Sequence, residues 1–122
     1  MAAIDRFEDI LAWQKARELV REIYSVSGQG GFVRDFGLRD QIQRAAGSIM
    51  HNIAEGFEAG SDAEFIRFLG YARRSAAEVQ SQLYIALDQG YINREQFHYL
   101  YDLAEQCKKL ITGFIGYLKS SS

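Results

Sequence analysis

Residues 61–90 read SDAEFIRFLGYARRSAAEVQSQLYIALDQG. Within this stretch Phe65, Leu69, Ala72, Ala76, Val79, Leu83 and Ala86 recur at alternating steps of four and three. On a helix with about 3.6 residues per turn, that rhythm collects the apolar side chains into one stripe, the seam of a left-handed bundle. Ser61-Asp62-Ala63-Glu64 has the form of a capping box, in which the Ser hydroxyl and the Glu carboxylate each satisfy an orphan N–H, so the helix starts there. Gly90 supplies its stop. Downstream, Asn93-Arg94-Glu95-Gln96 offers a second capping box, and Phe97, Leu100, Ala104, Cys107, Ile111, Phe114 and Leu118 repeat the rhythm before a tail expected to fray from Lys119. Upstream, Leu38, Ile42, Ala45, Ala46, Ile49, Ile53 and Phe57 define another helix that ends before Gly60. Ala12, Trp13, Ala16, Leu19, Val20, Ile23 and Val26 define the first, and the run Gly28-Gln29-Gly30-Gly31 after it cannot hold a helix. The predicted helices cover about 8–27, 36–58, 62–89 and 94–118. No run has the period-two alternation of a strand. Short connections make neighbouring helices antiparallel, so the expected fold is an all-α, up-and-down four-helix bundle forming one domain over residues 1–122.

Composition agrees with that reading. A chain of 122 residues can bury a core without disulfides or metals, and 48% hydrophobic with 25% charged residues excludes a disordered one. Proline is absent, which permits long uninterrupted helices. The single Cys107 can form no internal disulfide. Met1 to Arg6 lacks the features of a signal peptide, and no apolar run approaches the roughly 18 residues of a membrane span, so a cytoplasmic, membrane-free protein is expected. A formal net charge of −2 exerts no global pull on nucleic acid; binding of that kind requires a local basic patch.

Helical bundles also house di-iron enzymes, which take Glu-x-x-His from each of two helices and a Glu from each of the others. Glu95-x-x-His98 matches, but His51 has Ser48 three residues before it, so half of the metal site is missing. Glu95 in a first helical turn is explained by the helix dipole. Cys107 lies on the apolar seam as a small hydrophobe rather than in the electropositive setting of a nucleophile. The glycine run lacks the Lys-Ser/Thr ending of a phosphate loop and a preceding strand. No catalytic, cofactor-binding or metal-ligating residue is therefore assigned, and the chain reads as a non-enzyme.

Polar stripes are more informative. Arg44, Ser48, Asn52 and Glu55 lie at steps of four, four and three on the second helix, and Arg74, Ser75, Glu78 and Gln82 form a comparable stripe on the third. Two readings stand: a solvated surface, or a partly buried network of Arg44, Ser48, Asn52, Glu55, Arg74 and Glu78 that holds the two helices in register.

The strings Phe7-Glu8-Asp9-Ile10, Trp13-Gln14-Lys15-Ala16, Arg44-Ala45-Ala46-Gly47-Ser48-Ile49 and Asn52-Ile53-Ala54-Glu55-Gly56, with Ala72-Arg73-Arg74-Ser75 and Glu78, carry a further signal. The pattern resembles the bacterial "four helix bundle protein" family, first noticed as open reading frames in intervening sequences of 23S rRNA genes. It runs from about Phe7 to Leu118. The resemblance implies a ring-like homopentamer without known catalytic activity, and similar bundles serve diversity-generating retroelements, engaging nucleic acid and a reverse transcriptase. Two functional classes follow: an RNA- or ribonucleoprotein-associated accessory factor, or a protein-binding scaffold. For the first, Arg67, Arg73 and Arg74 on the third helix and Lys108 and Lys109 on the fourth are the candidate contacts, although Asp62, Glu64, Glu78, Asp102 and Glu105 lie among them. Tyr71, Tyr84, Leu103, Leu110, Ile115 and Tyr117 exceed what one seam needs, which suits a subunit interface for about half of them.

Overall fold

The computed structural model describes residues 4–121. Its helices are α1 (Leu11–Ser27), α2 (Phe36–Glu58), α3 (Asp62–Asp88) and α4 (Arg94–Ser121), with short 3₁₀ turns at Phe7–Asp9 and Phe32–Arg34. No strand occurs among the described residues.

Each boundary has a local cause. At α3 the Ser61 Oγ accepts from the Glu64 N–H at 3.2 Å, but the Glu64 carboxylate turns away to Arg67, so only half of the expected capping box forms. A guanidinium outcompetes the Ser61 N–H because charge-assisted bonds are the stronger kind. The second box is complete: Gln96 N donates to Asn93 Oδ1 at 2.8 Å, and Asn93 N donates to Gln96 Oε1 at 2.9 Å. Gly90 lies just beyond the last turn of α3 at φ +74, and Tyr91 N bonds Ala86 O while Gly90 N bonds Leu87 O. These two bonds satisfy carbonyls that the helix end would otherwise orphan.

Three features differ from the sequence expectation. The first helix begins at Leu11 rather than near residue 8, because Phe7–Asp9 closes a 3₁₀ turn and Ile10 is extended. In the long connection, the glycine run gives way to the Phe32–Arg34 turn, and Phe32 is fully buried. Instead of fraying at Lys119, α4 continues to Ser121, where Ser120 Oγ and Ser121 Oγ donate to the carbonyls of Tyr117 and Leu118.

All four helices contribute to one core. Leu19 and Ile23 of α1, Ile42, Ile49 and Ile53 of α2, Leu69, Val79 and Leu83 of α3, and Leu100 and Ile111 of α4 are fully buried. Burying each such side chain contributes about 1.5–3 kcal/mol. Leu103 and Ile115 join this core, whereas Tyr84 and Tyr117 remain exposed and Tyr71 and Leu110 are half-buried. Trp13 is half-buried, edge-on to Phe7 at 5.2 Å. In the packing, α1 touches α2 and α4, and α3 touches α2 and α4. Helices α2 and α3 approach closely at Gly56, where a Cβ would lie 2.8 Å from Phe65 Cδ1 and 2.9 Å from Phe68 Cβ. Nearer the start of α2, Ser48 meets Ser75, further along α3.

Candidate functional site

The α2–α3 seam separates the expected polar network into two groups. Asn52 Nδ2 donates to Ser48 O and Ser48 Oγ, both at 2.9 Å, and Ser75 Oγ donates to Ser48 Oγ at 3.0 Å. These three side chains bridge the helices. Arg44, Glu55, Arg74 and Glu78 are instead exposed, and Arg44 and Glu55 make no hydrogen bond or ion pair among the described residues. The helix rotation that buries Ile42, Ile49 and Ile53 carries the ends of this stripe out to solvent. Glu78 accepts from Gln82 Nε2 at 3.4 Å, and Gln82 Oε1 is buried without a partner.

A different set converges on α3. Arg67, Tyr71 and Arg74 lie at steps of four and three, hence on one face. The Tyr71 ring has the Arg67 guanidinium 5.6 Å from its centroid and that of Arg74 at 5.2 Å, so it is flanked by two cations. Arg67 also lies 5.1 Å from the Phe68 ring. Its Nη2 bonds Glu64 Oε2 at 2.6 Å and its Nη1 bonds the Tyr71 hydroxyl at 3.0 Å; Glu64 first, then Tyr71, pushes its pKa above the ordinary arginine value. Arg73 leaves this array and donates to Thr112 Oγ1 of α4 at 3.1 Å.

Lys108 and Lys109, adjacent in sequence, part company. Lys108 Nζ reaches Gln80 Oε1 at 3.1 Å and Glu105 at 3.5 Å, inside a cluster that pins α3 to α4. Gln80 is only 5% exposed and donates to Glu105 Oε1 at 3.0 Å and to Tyr101 O at 3.4 Å. The Gln80 bond, ahead of the Lys108 charge, holds the Glu105 carboxyl below its ordinary pKa. Lys109 is exposed beside a mostly apolar groove of about 600 Å³ lined by Leu11, Leu110, Phe114 and Tyr117.

Burial pushes the Cys107 thiol up to about 12, so it is uncharged near neutral pH and unsuited to nucleophilic attack. Glu95 and His98 lie exposed, and no cluster of His, Cys, Asp or Glu able to hold a metal occurs among the described residues. Among the same residues, no helix is long and apolar enough to cross a membrane.

The family model of the 23S rRNA-intervening sequence protein matches residues 8–113. The chain belongs to that family. A solved structure from Bacteroides thetaiotaomicron, described as a protein of unknown function from the S23 ribosomal protein family, is similar to it: identity is 29%, the TM-score is 0.78, and the match covers 86% of this chain and 98% of the other. No curated protein matches the chain. Neither description names an enzymatic activity. For this member of the 23S rRNA-intervening sequence protein family, the sequence picked out Arg67 and Arg74, beside Arg73, only as candidate contacts close together on the third helix. It missed Tyr71 as their common partner, and it missed Gln80, whose neighbours at Glu105 and Lys108 come from another helix.

Proposed function

We propose that the protein is a non-enzymatic, RNA- or ribonucleoprotein-associated accessory factor of the bacterial cytoplasm. In this reading it is an antiparallel, up-and-down four-helix bundle that works as a cyclic homo-oligomer, a pentamer by resemblance to its family. The juxtaposition of Gly56 with Phe65 and of Ser48 with Ser75 supports opposite directions for α2 and α3. The family's tie to intervening sequences of 23S rRNA supports an RNA setting. The observation that carries the proposal is Tyr71 flanked by Arg67 and Arg74 on the α3 surface. Exposed bases stack on aromatic rings and on guanidinium planes, and the guanidinium charges meet phosphate. Repetition around a cyclic axis would turn one modest patch into a ring of cations, which compensates for the net charge of −2.

The test is fluorescence anisotropy with single-stranded and duplex RNA and DNA at two salt concentrations, beside light scattering for the mass. Single-stranded RNA is expected to bind, with affinity falling as salt rises. Because each phosphate contact contributes about 0.7 to the log–log salt slope on a single strand, Arg67→Gln with Arg74→Gln is expected to flatten that slope by about 1.4 per array engaged. Binding untouched by salt and by both substitutions would sink the RNA reading. A mass of one chain at micromolar concentration would remove the ring. The apolar groove at Leu11, Leu110, Phe114 and Tyr117 favours a second reading, a protein-binding scaffold without a nucleic-acid role; a parent chain that binds no RNA, with Leu11→Glu abolishing its capture of a protein partner, would establish it.

A further inference from the structure

Between α1 and α2 lies a pocket that the RNA reading does not use. It is a concavity of about 500 Å³ lined by Tyr24 of α1 and by Asp40, Gln43, Arg44, Gly47, Ser48 and His51 of α2. Arg44, Ser48 and His51 lie at steps of four and three on one helix face. Arg44 and His51 are exposed and lack a hydrogen-bond or ion-pair partner among the described residues. Ser48 Oγ accepts from both Asn52 and Ser75, which uses its two lone pairs and leaves its own hydrogen to donate. Gln43 is occupied with Ser27, to whose Oγ it donates at 2.9 Å. The one carboxylate on the wall, Asp40, accepts from Nε and Nη2 of Arg39, both at 3.2 Å, so its charge is already met. At Gly47 a Cβ would approach only His51 Nε2, at 4.0 Å, which makes the floor bare backbone beside the imidazole. The pocket therefore offers a guanidinium, a hydroxyl hydrogen and an imidazole N–H, and its one carboxylate, Asp40, is engaged by Arg39.

We infer that this pocket binds a phosphate group, with Arg44 as the charge-bearing clamp and Ser48 and His51 as the orienting donors. A guanidinium with neighbouring neutral donors suits a tetrahedral oxyanion, whose oxygens accept from several directions at once. The phosphate is carried either by a free nucleotide or by the 5′ end of an RNA. Both present the same chemistry to Arg44.

The experiment titrates inorganic phosphate into the ¹⁵N-labelled full chain and follows the backbone amides. Amides of residues 44–51 are expected to move saturably, and Arg44→Gln is expected to weaken the affinity about tenfold or more, as charge-assisted bonds require. His51→Gln should weaken it less, and Arg74→Gln not at all, which separates this site from the α3 array. Competition by a nucleoside monophosphate but not by 5′-phosphorylated RNA identifies the free nucleotide as the source. Competition by 5′-phosphorylated RNA but not by its 5′-hydroxyl counterpart identifies the RNA end. Amides that stay put, that move equally in Arg44→Gln, or that move equally with chloride at matched ionic strength would overturn the inference. Because Arg44 is exposed, dispersed amide spectra of the variants confirm that a lost response reflects the pocket and not the fold.

Discussion

The two ends of the molecule are finished differently. At one, the α1–α2 connection and the α3–α4 turn lock together: Phe32 stacks on Tyr91 at 5.3 Å, and the Tyr91 hydroxyl donates at 2.9 Å to Asp35, whose other oxygen caps α2 through Leu38 N. At the other, the Ser61 cap is half-formed, and Leu11, 64% exposed, stands beside Phe114 and Tyr117 over an open groove. The loop aromatic Phe32 is thus sealed at the first end, although Phe36 beside it is as exposed as Leu11, while at the second end the exposed apolar side chains line a groove. The contrast separates residues that maintain the fold from residues available to a partner.

The sealed end should break hardest. Phe32→Ala removes a fully buried ring and is expected to cost about 3–5 kcal/mol in urea denaturation, as large-to-small changes in cores do. A cost under about 1 kcal/mol would mean that the loop is not part of the core.

Glycines sharpen the contrast at the open end. Gly56→Ala forces a methyl against Phe65 and the Phe68 Cβ and is expected to destabilise by about 1–2 kcal/mol, overpacking outweighing the helix propensity gained. Gly113→Ala, whose new methyl meets nothing within 4 Å, should stabilise by up to about 1 kcal/mol. Equal effects at the two positions would refute the close approach of α2 and α3.

The smallest effect concerns Tyr91. Its bond to Asp35, and secondarily its burial, raise its pKa above the ordinary 10.0. A pKa raised in the folded state contributes stability that is whole below pH 10 and lost as pH climbs through the higher folded value. Melting temperature measured upward from about pH 9 should therefore fall faster for the parent than for Tyr91→Phe. Parallel profiles would show that the hydroxyl contributes nothing.

Much of the fold was legible because helix ends announce themselves in single residues. Ser61, Asn93 and Gly90 each mark a boundary through their own chemistry, and α3 and the start of α4 lie where those marks put them. The start of α1 was not legible, since Ile10 caps nothing with its side chain, and Phe32 was hidden because a lone aromatic after a glycine run belongs to no periodic pattern. For the candidate site, the sequence grouped Arg67, Arg73 and Arg74 on the third helix but could not say which polar residues turn inward. Gln80 is buried and Glu78, two positions earlier, is exposed; that distinction comes from where α4 lies.

Gln80 has a consequence for alignment. Its amide faces Glu105 through hydrogens and Lys108 through oxygen, so it recognises an acid and a base in a set order along α4. Sliding by one turn is already opposed by the apolar stripe, since it would bring Lys108 to the buried place of Ala104 and Ile111 to that of Cys107. Sliding α4 by four residues would bring Lys109 to the place of Glu105, and the Gln80 hydrogens would then confront an ammonium with no lone pair to offer. A single buried amide thereby adds a check of polarity to the alignment that the hydrophobic surface selects by volume.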